Sequence, residues 1–148
     1  MRYATPRFRH AAERLLAHVA GGELATSETL AEASGCLLDR LSHRVAQVIG
    51  PAGVEAIFRR AVKLSTAEFA FLDDRIVPRE RGVSLVEALR ACLREQKPEV
   101  IREVSVILFA TFAGLLATVI GDRLAWILLQ QIWPDVLLSE GGLQETKE

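Results

Sequence analysis

The run VSVILFATFAGLLATVIG, residues Val104 to Gly121, is the longest stretch of the chain without a charged side chain. It reads in one of three ways: as a membrane span, as the central helix of a soluble bundle, or as a face that meets a partner. A span needs about 20 apolar residues to cross roughly 30 Å of hydrocarbon. Val104 to Ile120 supplies 17, about 26 Å of helix at 1.5 Å per residue. Arg102 and Glu103 stand before it and Asp122 and Arg123 after it, so extending the span would bury charge. The run is therefore read as a helix of a soluble bundle, with no transmembrane span.

A helix apolar on every side is normally buried on every side. In a small bundle only a central helix is surrounded by its own chain; otherwise one face meets a second copy or a partner. Ala113, Ala117 and Gly121 recur every four positions, with Ala110 and Gly114 beside them, a small row that lets another helix approach closely. Phe109, Phe112 and Leu116 form a large row opposite. Two such faces predict two different neighbours, one of them across an interface. Exposed in a monomer, the large row would make an apolar patch of a few hundred Å², on the order of a contact site. Trp126 and Trp133, seven apart further on, are read either as anchors of the same interface or as core.

Continuing that helix through GDRLAWILLQQIWP would give an unbroken rod of about 54 Å, against a diameter of about 38 Å for a compact domain of this length. Gly121 followed by Asp122 has the form of a helix stop followed by a cap. The spacing predicts a break there and a last helix ending at Pro134.

The helical period extends upstream, and no hairpin signal interrupts it. Thr5-Pro6 opens a first helix with the stripe Phe8, Ala11, Leu15 and Val19, stopped by Gly21-Gly22. A second starts at Thr29, which has capping-box spacing to Glu32, or equally at Thr26. It carries Leu30, Ala33, Leu37, Leu41, Val45 and Val48. Pro51 opens a third, expected to run on through STAEFAFL unless Ser65 and Glu68 mark a break. After the polar loop DDRIVPRERG, Ser84 and Glu87 cap a short helix, and Pro98 opens the apolar one. The fold class is all-α, a single-domain bundle of five to six helices over residues 1–134, with a very apolar penultimate helix. Residues 135–148 read as an acidic, fraying tail.

Half of the 148 residues are hydrophobic and a quarter charged, the balance of a folded domain. Of 18 basic residues only Lys63, Lys97 and Lys147 are lysines, a preference read as the codon bias of a GC-rich genome; the general run is that of a bacterial soluble helical protein. Residues 61–134 carry nine basic and nine acidic side chains, so no basic face points to nucleic acid. Cys36 and Cys92 lack the spacing of a disulfide framework and read as reduced, packed thiols of a cytoplasmic protein. The arginine-rich start resembles a transit peptide only loosely, and its apolar stripe assigns it to the fold.

Catalytic signals are missing. There is no Gly-rich phosphate loop, no nucleophile elbow and no Cys-x-x-Cys. His10 and His18 lie two turns apart, and Cys36 and His43 about 10.5 Å apart in rise, too far to share an ion. Glu99 and Glu103 share a face, but no Glu-x-x-His accompanies them as a di-iron bundle requires. No metal, cofactor or catalytic residue is assigned. Arg75, Arg79 and Arg81 make an anion-binding loop conceivable, and Asp39 and His43, spaced i, i+4, stand close enough for an acid-histidine pair.

The expected function is a non-enzymatic helical interaction module, an adaptor, scaffold or regulatory subunit. Its partner is a second copy or another helical protein, met through Phe109, Phe112, Leu116, Ala113, Ala117, Trp126 and Trp133. The alternatives are a small enzyme or ligand-binding bundle around Asp39 and His43 or the Arg75–Arg81 loop, and a peripheral membrane protein using Phe109, Phe112 and Leu116.

Overall fold

The apolar run is the axis of the molecule. The computed structural model describes residues 3–21, 25–72 and 85–138. Six α-helices follow one another: α1 (Pro6–Ala20), α2 (Ser27–Ile49), α3 (Pro51–Ser65), α4 (Leu85–Arg94), α5 (Pro98–Ile120) and α6 (Asp122–Ile132), with a 3₁₀ turn at Ala70–Leu72. A further helical turn covers residues 134–138. No strand occurs among the described residues. This is the all-α bundle expected from the periodicity, with slightly more helical pieces than five to six.

Local chemistry sets most boundaries. Pro6 opens α1, and the N–H of Gly21 closes it on Ala17 O. The hydroxyl of Thr26 accepts from the Thr29 N–H at 3.2 Å, so α2 uses the earlier of its two possible caps and Thr29 lies inside the helix. The third helix does not run on through STAEFAFL. It stops at Ser65, where the hydroxyls of Ser65 and Thr66 donate to the carbonyls of Ala61 and Lys63 at 2.8 and 2.6 Å. Such backward bonds compete with helix continuation, and the chain turns so that Leu72 enters the core.

The break at Gly121 is present. Its N–H donates to Ala117 O at 2.8 Å and its carbonyl accepts from the Ala125 N–H at 3.0 Å. One residue thus closes α5 and opens α6. Its φ of 95° and ψ of 149° belong to a region that is essentially glycine's alone. Gly50, at φ 88° and ψ 158°, joins α2 to α3 in the same way.

The Ser27 hydroxyl donates to Gln96 O at 2.7 Å, so α2 and α5 start at one end of the bundle. They run alongside each other to Gly50 and Gly121 at the other, here the glycine end. Phe58, eight residues after Gly50, meets Phe112, nine before Gly121, edge to face with centroids 6.3 Å apart. The start of α1 reaches the glycine end too, where Phe8 packs on Trp126.

By length and composition α5 could cross a membrane, but 78% of its apolar window is buried by the other helices, as expected of a core helix. Three details differ from the sequence reading. Val19 and Val48 end their stripes exposed, each in the last turn of its helix. Cys36 is exposed, and only Cys92 is packed. The bundle does not end at residue 134, since Val136 and Leu137 are buried and Arg14 donates to Val136 O. Residues 139–148 of the expected tail, and Gly22 and Ser84 among the expected helix boundaries, lie outside the described residues.

Candidate functional site

The residues expected to form an interface through α5 are interior side chains of the single chain. Phe109, Phe112, Leu116 and Ala113 are each at most 2% exposed, and Ala117 is half-buried. The large row meets α3 and the end of α6, with Phe109 against Trp133 and Phe112 against Phe58. The small row meets α1 and the residues before it: at Gly114 the backbone carbonyl of Tyr3 stands 2.0 Å from where a Cβ would lie. The two faces do have two neighbours, and both belong to the same chain. Nor is this row open to a lipid surface. Trp126 and Trp133 are also core residues, each covered by a guanidinium: Arg7 lies 4.2 Å from the Trp126 ring and Arg40 5.3 Å from that of Trp133, at cation–π distance.

Exposed apolar side chains occur elsewhere. Val48, Val119, Leu124 and Ile127 are 44%, 61%, 43% and 36% exposed. All four lie within six residues of Gly50 or Gly121. Arg40 donates to Ile132 O and Arg44 to the Gln131 side chain, both at 2.8 Å, so α2 and α6 pack against each other antiparallel. Asp122 and Arg123, both exposed, are the charges beside them. The sequence signal for this surface was Val119, Leu124 and Ile127 around the predicted break; the longer apolar run obscured it.

The principal electrostatic feature went unread in the sequence. Arg90 of α4, with a side chain 9% exposed, points into α2. Its Nη2 is 3.2 Å from the Asp39 carboxylate and its Nε 3.4 Å from that of Glu32, while its Nη1 contacts Glu87. The Nε contact lies outside hydrogen-bond geometry, so it is an ion pair only. Burial opposes the charge, but Glu32, Glu87 and Asp39 outweigh it and hold the guanidinium above its ordinary pKa. Gly35 makes room: a Cβ there would stand 2.1 Å from Nε. Glu32 and Asp39, seven apart around a glycine on one helix face, are the signal that was available.

This cluster uses one half of the expected acid-histidine pair. Asp39 faces Arg90, and no hydrogen bond joins it to His43 among the described residues. Both line a broad cleft of about 580 Å³ between α2, α3 and α4, with His43 exposed. Arg75, Arg79 and Arg81 lie outside the described residues. No group of three His, Cys, Asp or Glu side chains that could hold a metal occurs among the described residues.

A second groove, of about 410 Å³, opens between α1 and α5 at the end opposite the glycines, with Leu16, Leu30, Val106 and Ile107 in its floor. In comparisons with known proteins the chain matches no family model, no curated protein and no solved structure.

Proposed function

We propose that the protein is a non-enzymatic helical interaction module that self-associates through the glycine end of the bundle. The observation that supports this is the concentration of exposed Val48, Val119, Leu124 and Ile127 at that end, where most other large apolar side chains are covered. Contiguous exposed apolar surface marks contact sites. A second copy suits this one because Asp122 and Arg123 are adjacent and opposite in charge, so a twofold pairing sets each against its complement. The free thiols of Cys36 and Cys92 support a reducing, cytoplasmic setting.

Light scattering across a micromolar concentration series tests the reading. The parent protein is expected to dimerise, and Leu124→Glu to be monomeric with unchanged helical circular dichroism. Phe112→Glu is expected to unfold the chain, since Phe112 is 1% exposed. A parent protein monomeric at every concentration would remove the self-association.

A further inference from the structure

We propose that the groove between α1 and α5 is a binding site for a small cationic amphiphile, an apolar chain or ring carrying an ammonium-type head. Its volume of about 410 Å³ lies in the range of ligand sites, and an apolar floor with a few polar groups at the mouth is their usual lining. Val106 and Ile107 line the groove yet are only 9% and 5% exposed, so its apolar floor is recessed below the rim, as suits an apolar chain or ring.

The rim selects the charge. Glu13 stands on the α1 bank, and Glu99 and Glu103 on the α5 bank. None of the three makes an ion pair among the described residues. Arg9 and Arg102 also reach the rim, but Arg102 is already partnered. Three carboxylates against two guanidiniums, one of them already engaged, leave the rim net negative and favour a positive head over a negative one. In the sequence Glu99 and Glu103 only share a helix face; the fold sets Glu13 across from them over an apolar cleft.

The test is calorimetric titration of the intact protein with decyltrimethylammonium and, separately, decanoate, each below its micelle concentration, with amide shifts locating the site. The expected result is saturable binding of the cation that perturbs α1 and the first half of α5, with decanoate at least tenfold weaker. The combined Glu13→Gln, Glu99→Gln, Glu103→Gln variant should weaken the cation roughly tenfold at low ionic strength, the scale of three exposed charges. Ala17→Phe, which fills an exposed position in the groove, should abolish binding of both while leaving the melting temperature within a few degrees. Equal or tighter binding of decanoate overturns the charge assignment. Undiminished binding by Ala17→Phe overturns the site, as does the absence of saturable binding. Association with a basic helical peptide but not with the amphiphile would also overturn the proposal in favour of a macromolecular partner.

Discussion

Gly114→Ala adds one methyl group at the point where the chain's start crosses α5. At an open helical position this change stabilises, by up to about 1 kcal/mol, because alanine loses less entropy on entering a helix. Here the new Cβ would lie 2.0 Å from the Tyr3 carbonyl oxygen and 2.7 Å from the carbonyl carbon. Both are backbone atoms, so no side-chain rotation relieves the clash. Either α5 shifts within a packed core or the segment before α1 lifts, uncovering Ala4, which is 5% exposed. Overpacking of this kind costs about 1–3 kcal/mol. Set against the full propensity gain, the net is a loss of up to about 2 kcal/mol, or a melting temperature lower by up to about 6 °C for a chain of this size. Thermal unfolding followed by circular dichroism reads the shift. Removing residues 1–4 from the variant should abolish the penalty, making the pair non-additive as for groups in direct contact. A Gly114→Ala protein that melts higher than its parent would refute the close approach.

Gly121→Ala forces a side chain into a conformation that L residues avoid and should destabilise by about 1–3 kcal/mol, read by urea denaturation; no loss would mean that the turn rearranges freely. Arg90→Met leaves Glu32, Asp39 and Glu87 facing one another and should cost about 1–3 kcal/mol. The guanidinium is held above its ordinary value, so its stabilising share is complete throughout the neutral range and is lost only in strong alkali as pH rises through the raised pKa. The difference between parent and Arg90→Met should accordingly stay flat across neutral pH, and a slope there would contradict the assignment. Cys36 is exposed and Cys92 buried: a thiol reagent should modify the first at once and the second only on unfolding, and two fast-reacting thiols would contradict the packing of α4.

The helices were legible because their signals are local. Pro6, Pro51 and Pro98 open helices, Gly21, Gly50 and Gly121 close them, and the break after Ile120 follows from a residue pair and a length. The neighbours of α5 were not legible. A row of small residues states that something comes close, but not whether it belongs to another chain; here it is the backbone at Tyr3. The large row raised the same question, and Phe58 and Trp133, far apart in sequence, answer it. The Arg90 cluster joins residues more than fifty positions apart, so no spacing along one helix displays it whole. The α1–α5 groove depends on which bank Glu13 occupies, and only tertiary structure supplies that.

Single glycines joining α2 to α3 and α5 to α6 have a consequence for how the chain finds its fold. With no slack in the connection, each pair forms a corner at almost no loop-closure cost, so these two corners should organise early. The most extensive helix pairing, α1 with α5, instead joins segments about a hundred residues apart, and contacts of that separation slow folding. The first helix should then dock last, onto a surface the corners have already built. Substitutions at Leu15 or Gly114, where the first helix docks, would then chiefly speed unfolding, which the unfolding limb of a chevron plot can resolve.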